Sequence, residues 1–146
     1  MKKSTFSPAA AAVLALLVQG CSQVPQSTAA SNIKPGIWAN AQAAGGAVVV
    51  DKIAMPTNGW IVIHAVRDGK LDVSGSIGHV YVPAGPSGPH TVPLSEPVAA
   101  GNQVVAMLHL DTGIAKVYEF ANGSVEPHDL PVIVGEKPVV ASIQLN

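Results

Sequence analysis

The chain has 146 residues, 48% of them hydrophobic and only 12% charged, with a formal net charge of −1. No run of five basic residues occurs, which leaves nucleic-acid binding and electrostatic attachment to a membrane surface without support. The lone cysteine, Cys21, excludes an intramolecular disulfide, so stability must come from core packing.

The first twenty residues read as an export signal. Lys2 and Lys3 supply the positive start, and Ala9–Val18 supplies an apolar stretch of the length such signals use. A spanning helix needs about 20 apolar residues, so this stretch is too short to be one. It ends in Val18-Gln19-Gly20-Cys21, which resembles the bacterial lipobox, although Gln19 replaces the usual small residue. The resemblance implies cleavage before Cys21, a diacylglyceryl thioether on its sulfur and acylation, typically with palmitate, of the new N-terminus. Several acyl chains anchor stably where one is marginal. Ser22 in the following position favours the outer membrane, facing the periplasm or the cell surface, within the bacterial envelope. Loss of Lys2 and Lys3 leaves six basic residues against nine acidic ones.

Residues 21–46 are rich in Ser, Ala, Gln, Asn and Gly and read as a flexible tether. Ile37 and Trp38 are its exception, able to dock on the domain as an extra strand. From Ala47 to Asn146 the texture changes to short β-branched runs: "AVVVDKIA", "WIVIHAV", "IGHVYVP", "HTVPL", "QVVAMLHL", "AKVYEF", "PVIV" and "VVASIQL". Turn residues separate them in "PTNG", "RDGK", "AGPSGP", "AGN", "DTG" and "ANG". Strands recurring about every 8–12 residues with no helical period predict an all-β fold, an immunoglobulin-like antiparallel two-sheet sandwich of about 7–8 strands. The Cys–Trp–Cys set of true immunoglobulin domains is absent.

Alternation assigns the faces. Trp60, Val62 and His64 share one side of their strand; Val105, Met107, His109 and Asp111 fall together on theirs. Both runs are apolar on nearly both sides, which predicts central strands. Pro83, Pro93 and Pro131 cannot donate to a ladder and belong at strand ends or edges.

The ordered set "GWIVIHA", "IGHVYVPAG", "HTVPL", "VVAMLHLD", "KVYEF" and "DLPVIV" resembles an uncharacterised family of exported β-sandwich modules of bacteria and archaea. The resemblance covers Val48–Leu145. It implies a sandwich fold and an envelope location, often with a lipid anchor, and leaves the activity open.

The histidines are the one place to look for chemistry. If their strands pair, His64, His109 and Asp111 can converge, with His79 and Met107 as further candidates. Imidazole with carboxylate suits zinc, and imidazole with thioether suits copper(I). A blue-copper centre is excluded because its thiolate would have to be Cys21. The chain has no H-E-x-x-H, H-x-H or C-x-x-C, and so no local metal motif. The competing account makes each histidine a loop cap, Met107 a core filler and Trp60 a core anchor. No nucleophile elbow occurs, since "SGSIG" has the wrong spacing, and no paired carboxylates stand at useful separation. The expectation is therefore a non-enzymatic envelope module that binds a partner or braces structure, held to the membrane by its N-terminal lipid and requiring no cofactor. An envelope protein is the kind of partner expected. The alternative is a periplasmic module for copper or zinc.

Overall fold

A computed structural model describes residues 32–120 and 128–146. The expected signal peptide (1–20), Cys21 and the tether through residue 31 lie outside them. Every regular element among the described residues is a strand. In chain order they are β1 (Gly36–Trp38), β2 (Gly45–Val50), β3 (Lys52–Met55), β4 (Gly59–Arg67), β5 (Lys70–Leu71) and β6 (Gly78–Val82). They continue as β7 (Gly85–Ser87), β8 (His90–Val98), β9 (Gln103–Leu110), β10 (Ile133–Val134), β11 (Lys137–Pro138) and β12 (Val140–Gln144).

The principal sheet runs β12-β9-β4-β6, all antiparallel, with β5 closing a hairpin onto the end of β4. That hairpin turns on Asp68 and Gly69, both at positive φ (51° and 72°), the paired left-handed geometry that matches strand twist. Opposite lie two smaller pieces, β1-β3-β7 and β2-β8. Ile61, Ile63, Val104, Ala106, Leu108 and Ile143 from the principal sheet pack against Ile37, Val48, Val50, Ile53, Met55 and Val92 from the smaller ones. This is the β-sandwich the alternation predicted. β4 and β9 are the central strands, buried on both faces. β2 and β12 alternate buried with exposed, so one side of each meets water.

Three expectations need correction. Residues 36–46 are not tether: β1 pairs with β3, and Gln42 bridges to Leu145, so the sandwich begins at Gly36 rather than Ala47. The run "AVVVDKIA" is two strands, because Asp51 breaks it: its amide donates to the Trp38 carbonyl, and its carboxylate accepts from the backbone and side-chain amides of Asn40. The run "AKVYEF" is not a strand. Carboxylates satisfy amides in and just before it: Asp111 accepts from Lys116 N–H, Glu119 from Ile114 N–H, and Asp129 from Glu119 N–H at 2.7 Å. Side-chain capping of this kind competes with a ladder, and here it wins.

Candidate functional site

Register places the functional side chains on the face of the principal sheet that points away from the main core. Trp60 pairs with His109 and with Tyr81; Val62 pairs with Met107 and with His79; His64 pairs with Val105. Directly paired residues share a face, so His64, His79, Met107 and His109 all lie on one side, with the Val62/Met107 pair between the pairs that carry His64 and His109. The long β9–β12 connection covers this face. Its segment 130–132 takes over the edge of β9 that β12 leaves, through Leu110 N–H to Leu130 and Val132 N–H to Leu108. The β10–β11 hairpin then folds beside the face. Between hairpin, loop and sheet remains a cleft of about 200 Å³, walled by Leu71, Val73, Phe120, Pro131, Ile133 and Pro138 and floored by His64, Met107 and His109.

Both floor histidines are buried, 1% and 0% exposed, and their ring centroids stand 5.8 Å apart with planes 28° from parallel. The His109 Nδ1–H donates to the Asp129 carbonyl at 2.6 Å. The His64 Nδ1–H donates to the carbonyls of Gly75 (2.9 Å) and Asp72 (3.2 Å). Carbonyls only accept, so each Nδ1 carries the proton, and in a neutral imidazole the lone pair then sits on Nε2. Both Nε2 atoms are buried with no hydrogen-bond partner among the described residues. Burial drives the His109 pKa down to about 4; the nearby His64 pushes the same way, and the Asp129 hydrogen bond opposes both. His109 is therefore neutral near pH 7.

Asp129 is the residue that sequence reading missed. It is fully buried and joins three parts of the site. Its carboxylate accepts from Thr112 and Glu119 amides, its own amide donates to Thr112 Oγ1, and its carbonyl orients His109. Nothing in its surroundings, between His128 and Leu130 in turn-like sequence, marks it. Phe120, edge-on to His109 with centroids 4.9 Å apart, also went unpredicted because its strand does not exist.

The other candidates do not join the cleft floor. Asp111 is occupied by Lys116 N–H. His79 stacks on Tyr118, centroids 4.4 Å apart, and burial lowers its pKa. No group of three His, Cys, Asp or Glu side chains suited to a metal occurs among the described residues, so the carboxylate-containing zinc arrangement does not assemble. Trp60 is buried outside the main core, edge-on to His79, Tyr81 and Tyr118. The Tyr118 hydroxyl and Trp60 Nε1 are buried without partners among the described residues. Burial, then the charge of Asp129, raises the Tyr118 pKa. A hydroxyl–imidazole contact occurs elsewhere, Ser87 Oγ to His90 Nε2 at 2.9 Å, in the turn before β8. Among the described residues no carboxylate bonds His90 to orient it, as an activated serine would require. A more polar groove of about 300 Å³ holds Arg67, paired with Glu96 at 2.7 Å, and gathers no comparable set.

Fold and site together define an all-β sandwich with an apolar cleft floored by two imidazole nitrogens that have no partner among the described residues. Residues 36–146 match the family model described as "Domain of unknown function (DUF7282)", and the chain belongs to that family. No curated protein and no solved structure matches the chain.

Proposed function

We propose that this chain is a lipid-anchored module of the bacterial envelope that captures a ligand in the His64–His109 cleft and does not transform it. The observation that carries the reading is the pair of buried Nε2 atoms, without hydrogen-bond partners among the described residues, beneath apolar walls. A buried acceptor left unmade costs about 1–3 kcal/mol, and native structures keep such atoms where something fills the need. The cleft has acceptors and a thioether but no hydroxyl, thiol or carboxylate among its lining residues. It can hold a ligand, and among the described lining residues the imidazoles have no hydroxyl or thiol to activate as a nucleophile. The anchor rests on the lipobox at Cys21.

Two measurements test the reading. Palmitate labelling and membrane fractionation of the full chain should give a labelled membrane protein, and Cys21→Ala should give neither. Native mass spectrometry of the chain isolated from bacterial envelopes should show a retained adduct. Val73→Trp, which places an indole at the exposed rim of the cleft, should remove it. An adduct-free native chain, or an adduct that Val73→Trp leaves in place, ends the capture reading.

A further inference from the structure

The site has a chemistry more specific than capture, and the inference rests on the reading above. We propose that the Nε2 atoms of His64 and His109, with the thioether of Met107, form a binding site for a soft monovalent d¹⁰ cation, copper(I) in the envelope, with silver(I) as its redox-inert equivalent.

Four observations converge. First, the tautomers are fixed: each Nδ1–H is committed to backbone carbonyls, which leaves each Nε2 as a lone-pair donor. This is how ligating histidines are held by their outer partners. Second, the spacing suits one ion. Metal–imidazole bonds of about 2.0 Å place the centroids of two imidazoles on a common ion roughly 5.5–6.3 Å apart, and the observed separation is 5.8 Å. Third, Met107 faces the same cleft, and strand register sets it between the two histidines. Two imidazoles and a thioether are the ligands that copper(I) prefers over harder ions.

Fourth, charge selects the valence. No third acidic or imidazole ligand joins the pair among the described residues, and the lining is otherwise apolar. The solvation cost of burying an ion rises steeply with its charge, and two neutral imidazoles and a thioether offset less of it than anionic ligands would. Zinc(II) or copper(II) would sit here as an uncompensated dication. A monovalent ion that accepts two or three soft ligands and sheds its water readily meets a smaller penalty. Phe120, edge-on to His109, closes one side.

The test uses the full chain in detergent under anaerobic conditions, titrated with copper(I) against a chromophoric copper(I) chelator, with imidazole ¹⁵N resonances recorded in parallel. One equivalent should bind. Both Nε2 resonances should move from the free lone-pair region, while the Nδ1–H signals stay in place. His64→Asn and His109→Asn keep an amide donor near the Nδ1 position and should each weaken binding by about 100-fold. Met107→Leu conserves volume and fold and should weaken it by about tenfold. Stationary Nε2 resonances at saturating copper(I) would mean that a bridging water is the sole occupant, and would overturn the proposal. So would affinity unchanged in Met107→Leu and both histidine variants, or tighter retention of zinc(II) or copper(II). An organic adduct in native mass spectra with no copper(I) binding ends this inference and leaves the capture reading standing; a chain showing neither ends both.

Discussion

At the scale of single residues, His109 links the site to stability through its proton. In the unfolded chain an imidazole binds a proton below pH 6.5; in the fold, burial delays this to about pH 4. Between those values the unfolded state holds more protons, so stability falls as the pH falls, and it is fully retained above 6.5. The slope is about 1.4 kcal/mol per pH unit, and the whole window amounts to roughly 3 kcal/mol. Urea denaturation from pH 7.5 to 4.5 should show this decline, and His109→Asn should flatten it. A profile that stays steep in the variant assigns the proton to another group. Tyr118 makes a second case, because its buried hydroxyl has no partner among the described residues. Tyr118→Phe should raise the unfolding free energy by about 1 kcal/mol, since it deletes an unmet hydrogen-bonding need and keeps the ring stacked on His79. A loss of that size would instead show that the hydroxyl is bonded. Residue chemistry was half legible in sequence: alternation put His64, Met107 and His109 on matching strand faces. It could not show which ring nitrogen is bound, because the carbonyls that decide this come from Asp72, Gly75 and Asp129, set by loop geometry.

At the scale of elements, β4 and β9 were readable because a strand buried on both faces has no polar alternative: each is apolar at nearly every position. Their pairing also explains the glycine that opens the "GWIVIH" run. A Cβ on Gly59 would collide with the carbonyl oxygen of His109 and the Met55 side chain, and the first obstacle is backbone in the tightest part of the sheet. Gly59→Ala should cost about 3 kcal/mol in chemical denaturation, and it should disturb the histidine cleft from the opposite strand. A cost under about 1 kcal/mol would show that β9 yields there. The element that misled is the segment from Asp111 to Phe120. Its "KVYEF" pattern alternates as a strand should, yet three carboxylates cap its amides and fold it over the sheet. Pattern reports which side chains prefer burial. It does not report where backbone amides find acceptors, and one of the acceptors here, Asp129, lies ten residues beyond the amide it binds.

At the scale of the whole molecule, the point to settle is where the tether stops and the domain starts. Composition placed that boundary at Ala47, because Ala39–Gly46 holds only Ala, Asn, Gln and Gly, with no large apolar side chain. The fold uses this stretch through its backbone instead. Gln42 and Ala44 donate to the carbonyls of Gln144 and Asn146, and Asn146 donates back to Gln42, tying the two ends of the domain together. The Gln42 side chain bonds both the amide and the carbonyl of Val49. Ile37, 8% exposed, packs into the main core from β1, which covers the edge of β3. Burial of one isoleucine contributes about 2–3 kcal/mol, and each net hydrogen bond about 1 kcal/mol. A chain that begins at Ala47 should therefore be roughly 4–6 kcal/mol less stable than one that begins at Asn32. For a domain with a total of about 5–15 kcal/mol, that brings it close to unfolding and bares a strand edge prone to association. Paired thermal melts and size-exclusion profiles of the two chains decide the matter. Equal melting temperatures would return residues 36–46 to the tether; a lowered or absent transition with oligomer formation makes them the first strand of the sandwich in energy as well as in geometry.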